Sequence, residues 1–370
     1  NNFLIFIKGI ILMNTNRLNR VINAMKEKDI YQFVITDRMS IYYLTNINIH
    51  SGERFLGLYV NQDNEVHLIN NQLFPLHNND IDILYYSDTE SAVKKLSKFV
   101  HKDKNIGIDK VMTSNFLLEM MELDIAKKYI NASSCIDYVR MQKDEEEIKK
   151  MIKASEINDK SMKDIIDFVR VGMKELDALE ELKLIYKRNG ADGGFSFTPI
   201  IAFAENAANP HYSTGNTVIG DNGCLVIDMG CMHDGYCSDM TRTIFFGEPN
   251  EEAKKIYDTV KTANERAIDK VKEGLKFSDI DNEARSYITK NGYGEYFTHR
   301  TGHCIGMDVH EYGDVSSIHQ ALLKDGMIFS IEPGIYCADK KTGVRIEDLI
   351  VVTKDGHKNL NSFTKEMIIK

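Results

Sequence analysis

Two short stretches, about a hundred residues apart, decide the fold of this chain. Residues 226–230 read Val-Ile-Asp-Met-Gly and residues 330–334 read Ser-Ile-Glu-Pro-Gly, so each carries an acid two positions before a glycine, at an offset of 104. Two helix-ending glycines precede each stretch at a similar offset of 102: Gly172 and Gly190, then Gly274 and Gly292. Chance spacing is the alternative. An internal duplication explains both offsets and predicts two halves related by a pseudo-twofold axis, with both acids at the centre.

Helix signals of one kind open each half. In the first half, Asp144 and Glu147 form an Asp-x-x-Glu capping box ahead of an amphipathic run, and a shorter helix is predicted over about residues 175–189. In the second half, the predicted helices cover about residues 250–273 and 279–291. Strands follow both helix pairs, so this part of the chain is expected to be α+β.

The stretch ahead of the duplication has a different pattern. Residues 13–138 alternate short predicted strands with helices, one of them over residues 88–100 with Asp88 as its N-cap, which is typical of an α/β layered domain. Residues 1–12 are apolar but too short to span a bilayer, and they lack the flanks of an export signal. We therefore expect an extension outside the fold over residues 1–12, an N-terminal domain over 13–138 and a duplicated domain over 139–370.

Composition limits the partners of this protein. The 370 residues carry a formal net charge of -9, which disfavours a nucleic-acid backbone or an anionic membrane surface as the main partner. The six cysteines contain no Cys-x-x-Cys pair, as expected for free thiols in a reducing cytoplasm. A cytoplasmic location and small or neutral substrates are the resulting expectations.

The first half carries two acids in apolar surroundings. Residues 224–229 and 236–246 read as two strands joined around a turn at residues 232–235. A symmetric hairpin would set Asp228 directly opposite Asp239 on one face. Two opposed carboxylates repel each other and lose hydration, so this arrangement calls for a cation between them.

The second half repeats the arrangement with Glu332 and Glu347, on strands either side of a predicted turn. Ordinary salt bridges are the alternative, because Asp239 could pair with Arg242 and Glu347 could pair with Arg345. Four acids at matched places in a repeat favour a metal site over two separate salt bridges.

Histidines cluster in the second half. His299, His303 and His310 fall within a glycine-punctuated segment, and His211 lies just ahead of the first hairpin. A structural histidine is the usual alternative for any one of them. One imidazole with four carboxylates forms a hard ligand set, which suits Mn(II), Fe(II) or Co(II) better than a thiolate-rich structural zinc site. Two such ions held by bridging acids generate a hydroxide nucleophile at neutral pH, so the predicted reaction class is metal-assisted hydrolysis.

The ordered motifs resemble those of the pita-bread (creatinase/aminopeptidase-like) metallopeptidases, and most of all their Xaa-Pro branch, which contains aminopeptidase P and prolidase. The matching settings are Ile-Asp-Met-Gly at Asp228, Ser-Asp-Met-Thr-Arg-Thr at Asp239, Gly-His-x-Ile-Gly at His303, Glu-Pro-Gly at Glu332 and Arg-Ile-Glu-Asp at Glu347. The resemblance implies an N-terminal creatinase-like α/β domain followed by a duplicated α+β catalytic domain with pseudo-twofold symmetry.

The resemblance also implies a ligand set for two divalent metal ions. Asp228 would hold one ion, and His303 and Glu332 would hold the other. Asp239 and Glu347 would bridge the two. Mn(II) is the metal expected first, with Co(II), Fe(II) or Zn(II) as alternatives.

Further roles follow by resemblance for the residues around the metals. Glu332 would also act as general base, His310 would stabilise the oxyanion, and His211 would contact the substrate and help the leaving imino nitrogen. His299 would line the proline pocket, and Arg345 would orient the acids.

Two departures from the family pattern bear on function. Gly-His-Gly-Ile-Gly becomes Gly-His-Cys-Ile-Gly here, which predicts an oxidation-sensitive thiol at Cys304 beside a ligand. Asp314 stands where several dipeptidases have an arginine that grips the substrate's free carboxylate. It is therefore expected to repel a dipeptide, unless a residue such as Arg38 supplies the missing charge.

The predicted function is hydrolysis of the bond between an N-terminal residue and a following proline, in Xaa-Pro dipeptides or in longer peptides with proline second. The expected enzyme is a homodimer with no nucleic-acid or membrane partner. A metal-free binding or chaperone-like module of the same fold is the alternative. A creatinase-like hydrolase works without this metal set, and the large N-terminal domain disfavours a methionine aminopeptidase.

Overall fold

The computed structural model describes residues 13–76 and 81–370, so the extension expected over residues 1–12 lies outside the described residues. The chain divides into two compact units, the first ending at Val139 and the second covering Arg140–Lys370. None of the helices in the described stretches combines the length and the apolar character that crossing a bilayer requires.

The first unit is a mixed α/β layer. Its elements in chain order are α1 (Thr15–Glu27), β1 (Gln32–Ile35), α2 (Arg38–Thr45), β2 (Gly57–Asn61), β3 (Val66–Asn71), β4 (Asp82–Tyr86), α3 (Ala92–Leu96), β5 (Asn105–Ile108), α4 (Ser114–Glu122) and β6 (Lys128–Asn131), with α5 (Ser133–Met141) at its end. The strands form one sheet in the order β4-β3-β2-β1-β5-β6, antiparallel at β1–β2 and parallel at β1–β5. The predicted α/β character is confirmed.

One helix of this unit is shorter than predicted. α3 begins after Ser91, whose side chain accepts the Lys94 N–H, rather than after Asp88. The Asp88 carboxylate accepts from the Arg54 guanidinium at 2.8 Å instead. A long-range ion pair therefore occupies the residue that the sequence suggested as a helix cap.

The second unit contains two copies of a helix pair followed by strands. The first copy consists of α6 (Glu145–Phe168), α7 (Glu175–Asn189), β7 (Ile200–Phe203), β8 (Gly223–Met229), β9 (Met232–His233), β10 (Tyr236–Cys237) and β11 (Met240–Phe246). The second consists of α8 (Glu251–Lys270), α9 (Phe277–Lys290), β12 (Gly302–His303), β13 (Asp314–Val315), β14 (Ile328–Ile331), β15 (Gly334–Cys337), β16 (Thr342–Arg345), β17 (Asp348–Thr353) and β18 (Gly356–Asn359). Each copy has a three-stranded antiparallel sheet, β11-β8-β7 in the first and β14-β17-β18 in the second.

The shorter helices of the two copies start in the same way. Gly172 and Gly274, which precede α7 and α9, share a φ of 85°, in the left-handed region that favours glycine. Each helix then begins after a lysine that bridges to a distant segment: Lys174 to Val218, and Lys276 to Leu322. The duplication is therefore present in backbone conformation as well as in sequence spacing.

Strand β8 is buried on both faces, and this position brings its acid to the centre. Leu225 and Ile227 pack with the first copy's helices, whereas Cys224 and Val226 pack in the cluster that contains α8, α9 and β14. Because side chains alternate along a strand, Asp228 shares the second face, toward the other copy.

Candidate active site

The register of the first hairpin places the first two acids. β8 pairs with β11 so that Asp228 lies opposite Thr241, and continuing that register sets Asp239 opposite Gly230. The prediction that Asp228 lies directly opposite Asp239 is therefore wrong by two residues. Because the shift is even, both acids still share one face of the ladder.

In the second half the two acids do oppose each other. β14 pairs with β17 and β15 pairs with β16 in one continuous register. Glu332 falls between β14 and β15, and Glu347 falls between β16 and β17, so the ladder sets the two glutamates face to face. They flank the hairpin β15–β16, as the sequence predicted.

His303 completes the group from β12. Its Nε2 lies 3.5 Å from Asp239 Oδ2 and 3.5 Å from Glu332 Oε1. One ligand atom each from Asp239, His303 and Glu347 lie within 4.8 Å of one another. All five residues named as ligands from the sequence line one cavity of about 520 Å³.

The acids of this cavity lack the partners that buried carboxylates need. Within residues 13–76 and 81–370, Asp228 Oδ1 and Asp239 Oδ1 are buried without a hydrogen-bond partner. Burial first, and repulsion from neighbouring acids second, hold the pKa of Asp239 and of Glu347 well above their usual range. A divalent cation supplies the missing charge and ligand bonds, so the donor set fits a metal site.

Arg345 connects the acids of the two halves. Its guanidinium donates to Asp228 Oδ2 at 2.5 Å, to the Thr241 hydroxyl at 3.2 Å and to the Tyr336 hydroxyl at 2.9 Å. Thr241 in turn donates to Glu347 Oε2 at 2.7 Å. One arginine thereby orients an acid of the first half directly and an acid of the second half through a threonine.

Neither of the salt bridges considered as alternatives forms. Arg242 binds Asp348 at 2.7 Å rather than Asp239, and Arg345 binds Asp228 rather than Glu347. Within the described part of the chain, Asp239 and Glu347 have no lysine or arginine partner, which leaves their charge available for a cation.

Two further histidines, His310 and His211, line the cavity. The His310 ring lies edge-on to the His303 ring, with 4.3 Å between centroids. Desolvation in the cavity, followed by repulsion from His303 and Arg300, lowers the pKa of His310 to about 4. His310 is therefore a neutral imidazole near pH 7 and can donate one N–H to a developing oxyanion. His211 lines the same cavity beside Pro210.

His299 has both ring nitrogens occupied. Nε2 lies 2.8 Å from the Tyr336 hydroxyl, and Nδ1 lies 2.6 Å from the Arg300 carbonyl oxygen. Because Tyr336 already accepts a hydrogen bond from Arg345, its own proton goes to Nε2, and Nδ1 carries the imidazole proton. Desolvation by burial lowers the pKa of His299, in keeping with this neutral form. His299 therefore presents ring carbon to the cavity, which suits an apolar substrate group.

A buried acid holds the loop that carries His310. The Glu311 side chain accepts from Arg140 at 2.8 Å, from Lys143 at 2.9 Å and from the Met307 N–H at 3.1 Å. Burial opposes ionisation of Glu311, but the two cations outweigh it and lower the pKa to about 2. The carboxylate is therefore charged and pins both ends of this loop.

Sequence reasoning missed three residues of the site: Thr241, Arg300 and Tyr336. A signal existed for two of them, since Thr241 lies two residues after Asp239 and Tyr336 lies four after Glu332, both on the acid's face of a strand. Arg300 lines the cavity, but only its position next to His299 pointed to it.

Asp314 lies outside the set of residues that lines the cavity, as far as the described residues bound it. Its carboxylate accepts from the Ser316 hydroxyl at 2.7 Å and lies 4.0 Å from the Arg300 guanidinium. This acid therefore faces an arginine that does reach the cavity, so the expected unpaired repulsion of a dipeptide loses its geometric basis.

Cys304 is fully buried, and burial raises the pKa of its thiol to about 12. Oxidation proceeds through an accessible thiolate, so this environment argues against the oxidation sensitivity expected from the sequence. All six cysteines, each within the described residues, are buried free thiols.

A duplicated α+β fold with four acids and an imidazole around one cavity defines a metal-dependent hydrolase of the pita-bread type. The model of metallopeptidase family M24 matches residues 149–354, and the model of the creatinase/prolidase N-terminal domain matches residues 17–142. The chain belongs to metallopeptidase family M24. Membership of this family implies divalent metal ions, as does the donor set.

Relatives along almost the whole chain agree with this membership. An uncharacterized peptidase of Staphylococcus aureus (strain bovine RF122 / ET3-1) is 33% identical over an alignment of 369 residues, and the match covers 94% of this chain and 99% of the relative. A crystal structure of a dipeptidase from Pyrococcus horikoshii OT3 is 38% identical with a TM-score of 0.90, covering 96% of this chain and 100% of that one. An Xaa-Pro dipeptidase from Bacillus anthracis is 29% identical with a TM-score of 0.86, covering 96% and 99%. The predicted fold class, the resemblance to the Xaa-Pro branch and the enzymatic nature of the protein are confirmed.

Proposed function

We propose that this protein hydrolyses the peptide bond between an N-terminal residue and a following proline, with Xaa-Pro dipeptides as preferred substrates. The observation that carries the proposal is the convergence of four acids and His303 on one cavity, with buried carboxylate oxygens that lack a partner among the described residues. The likeness to solved dipeptidases supports the substrate class.

The proposed metal ligands are those named from the sequence. Asp228 would hold one ion, His303 and Glu332 would hold the other, and Asp239 and Glu347 would be shared between the two. The oxygen-rich set favours Mn(II), with Co(II), Fe(II) or Zn(II) as alternatives. When bound, two such ions supply a hydroxide nucleophile at neutral pH and polarise the scissile carbonyl.

Four side chains of the protein have proposed roles in the reaction. Glu332 accepts the proton of the attacking water as general base. His310, neutral at pH 7, donates its N–H to the carbonyl oxygen as negative charge develops there. His211 contacts the substrate near the scissile bond and assists protonation of the leaving proline nitrogen, while Arg345 keeps the acids in place from behind.

Arg300 favours dipeptides over longer substrates. Arg300 lines the cavity next to His299, and its charge helps to lower the pKa of His310. A guanidinium can bind a free carboxylate through two parallel hydrogen bonds. Asp314 lies at the far edge of ion-pair distance from it and is partly exposed, so it weakens this charge without cancelling it.

The remaining expectations stay predictions. They comprise the domain limits 13–138 and 139–370, an extension over 1–12, a homodimer, a cytoplasmic location and the lack of nucleic-acid or membrane partners. The metal-free binding module is disfavoured, because Asp239 and Glu347 are buried in one cluster with no lysine or arginine partner among the described residues, an arrangement that a bound cation would relieve.

The test compares peptides and metals on one purified protein. Chelation should abolish release of free proline, and reloading with Mn(II) should restore it with about two ions per chain, as a dinuclear site requires. Xaa-Pro should be cleaved with a kcat/KM at least about tenfold above that of Xaa-Pro-Yaa, on the scale of one good charge-assisted contact.

Three results would each remove one part of this proposal. Undiminished activity after complete chelation would remove the metal mechanism. Equal cleavage of Xaa-Ala would remove the proline requirement, and a preference for Xaa-Pro-Yaa would remove the assignment of Arg300.

A further inference from the structure

A buried acid with no counter-ion lies at the start of α7. Glu175 is the first residue of that helix, and its exposure is 0%. Over residues 13–76 and 81–370, no lysine, arginine or histidine forms a salt bridge with it, and hydrogen-bond donors take the place of a cation. A buried carboxylate held only by neutral donors is costly to keep, so its contacts call for an explanation.

All four donors belong to one segment, and two lie on each side of His211. The donors are the Phe203 N–H (2.7 Å) and Asn206 Nδ2 (2.9 Å) on Oε1, and the Tyr212 hydroxyl (2.9 Å) and Gly215 N–H (3.4 Å) on Oε2. The carboxylate thus fixes the loop on both sides of the histidine that reaches the cavity.

His211 depends on this loop for its position. Its own N–H bonds locally to Asn209 Oδ1 at 3.1 Å, and its side chain is exposed at the cavity wall. An exposed side chain on a loop is only as well placed as the backbone that carries it.

The second half shows that the helix start itself needs no acid. The matching first residue of α9 is Phe277, which stacks on His319 with 4.6 Å between centroids and contacts Phe329 edge-on at 5.2 Å. The duplicated frame therefore accepts an apolar residue here. The acid belongs to the half whose loop carries His211.

We infer that Glu175 is a positioning residue for His211, an inference that rests on the proposed function because that function gives His211 its contact with the substrate. A carboxylate group suits the task because both of its oxygens accept hydrogen bonds, so all four donors can point at it. A glutamine of the same shape would turn its NH₂ group toward two of those donors.

The test is a double-mutant cycle of Glu175→Gln and His211→Ala, assayed on manganese-loaded protein with an Xaa-Pro dipeptide. Each single variant should lower kcat/KM by about tenfold or more, with the same division between kcat and KM. The double variant should be no worse than the poorer single variant. Bound metal should stay unchanged throughout. Glu180→Gln, an exposed glutamate on the same helix, is the matched control and should leave activity as it was.

The outcomes separate this inference from the function on which it rests. Multiplying losses in the double variant, or loss of metal in Glu175→Gln, would overturn the positioning role. If Glu175→Gln is fully active and His211→Ala is impaired, the positioning role of Glu175 is overturned but the proposed role of His211 stands. If His211→Ala is fully active, both roles are overturned. If Glu175→Gln does not fold, Tyr212→Phe replaces it in the cycle, because it removes one of the four donors. Tyr212→Phe should lower kcat/KM by a smaller factor, and it should have no effect in protein that already carries His211→Ala.

Discussion

The two halves of the second unit share a backbone but not a set of side chains. Each has an acid two residues before a glycine, Asp228 before Gly230 and Glu332 before Gly334, in ladders of matching register. The residues across the ladder differ between the halves. Opposite the acid lies Thr241 in the first half and Glu347 in the second, and opposite the glycine lies Asp239 in the first half and Arg345 in the second.

This difference shows that the repeat does not simply provide two copies of one acid pair. It provides equivalent positions, and each half fills them differently, so that Asp239 matches Arg345 and Thr241 matches Glu347. A threonine can donate to Glu347 and accept from Arg345 at once, whereas a fifth acid there would add repulsion. Backbone symmetry sets where the site lies, and side-chain asymmetry decides which groups bind metal and which support them.

The largest effect is expected at Asp239 and Glu347, the two acids that occupy non-equivalent positions in the two halves. If Asp239 and Glu347 serve the same cations, Asp239→Asn and Glu347→Gln should fail alike, each lowering kcat by at least about a thousandfold and reducing bound metal. The metal-free melting temperature should not fall, because burial and neighbouring acids already favour the uncharged form of both groups.

Metal analysis, kcat and thermal melting check this expectation. Asp258→Asn, at an exposed position of α8, is the control for loss of one acid. Full activity in either site variant would eliminate the two-metal mechanism. Loss of activity in only one variant would show that Asp239 and Glu347 do not serve the same cations.

The histidines provide the next test, because the second half supplies both His303 and His310. We expect His310→Ala to lower kcat by about a hundredfold with metal content unchanged, the usual scale for one lost oxyanion donor. Steady-state kinetics with metal analysis would measure both. Loss of metal instead would make His310 a ligand and displace the assignment of His303.

The acids of both halves also predict how metal binding depends on pH. The pKa values of Asp239 and Glu347 lie above their ordinary 3.8 and 4.5, through burial and then mutual repulsion. The metal-free fold therefore holds these protons more tightly than the unfolded chain does. This contribution to the stability of the metal-free fold is complete when the pH is below the ordinary pKa values of the unfolded chain. It is lost as the pH rises through the raised pKa values of the folded state.

A cation must displace those protons, so metal affinity should rise with pH by up to about tenfold per unit for each proton released. The gap in melting temperature between loaded and metal-free protein should widen in the same direction. Titration calorimetry in buffers of different ionisation enthalpy counts the protons. An affinity that does not change with pH would contradict the raised pKa values.

Thr241→Val tests the asymmetric position itself. Valine keeps the shape but neither donates to Glu347 nor accepts from Arg345, so metal affinity should fall about tenfold, as for other groups that orient metal ligands. Thr259→Val is the control, since that buried hydroxyl donates within its own helix, to the Lys255 carbonyl. Unchanged affinity in Thr241→Val would show that Glu347 needs no support from the first half.

The sequence could locate the site because acids interrupt apolar strands there, and it contained the register as well. Asp234 and Gly235 form the two-residue turn between β9 and β10, with φ values of 47° and 78°. Asp-Gly between apolar strands is a strong signal for that turn, and centring the hairpin on it gives the observed pairing of Asp228 with Thr241. The wrong register came from centring the turn one residue too early.

Other parts of the site had no local signal. The Arg345–Asp228 bond joins residues 117 positions apart, and the Glu175 bond to Tyr212 joins two elements across 37. Such contacts arise from tertiary packing. Hydrophobic periodicity and capping rules describe only residues that are close in sequence, so they could not predict these contacts.

The smallest effect is expected at the end of the cavity that the second half supplies, where Asp314 lies 4.0 Å from Arg300. Both side chains are partly exposed, at 37% and 41%, so their attraction is worth at most about 1 kcal/mol, or about fivefold in an equilibrium. Asp314→Asn should therefore raise kcat/KM for Xaa-Pro dipeptides by about two- to fivefold, with little change for Xaa-Pro-Yaa.

Two further variants sharpen this last test. From the sequence alone, Asp314→Arg is expected to improve dipeptide cleavage by about five- to tenfold or more, on the view that Asp314 repels the substrate directly. The geometry predicts instead that arginine does no better than asparagine, because it would repel Arg300, and that Arg300→Met lowers dipeptide cleavage by about tenfold. A larger gain with arginine would restore direct repulsion by Asp314. Equal effects on both substrate lengths would show that carboxylate recognition lies elsewhere, since only a dipeptide places its terminal carboxylate beside the proline ring.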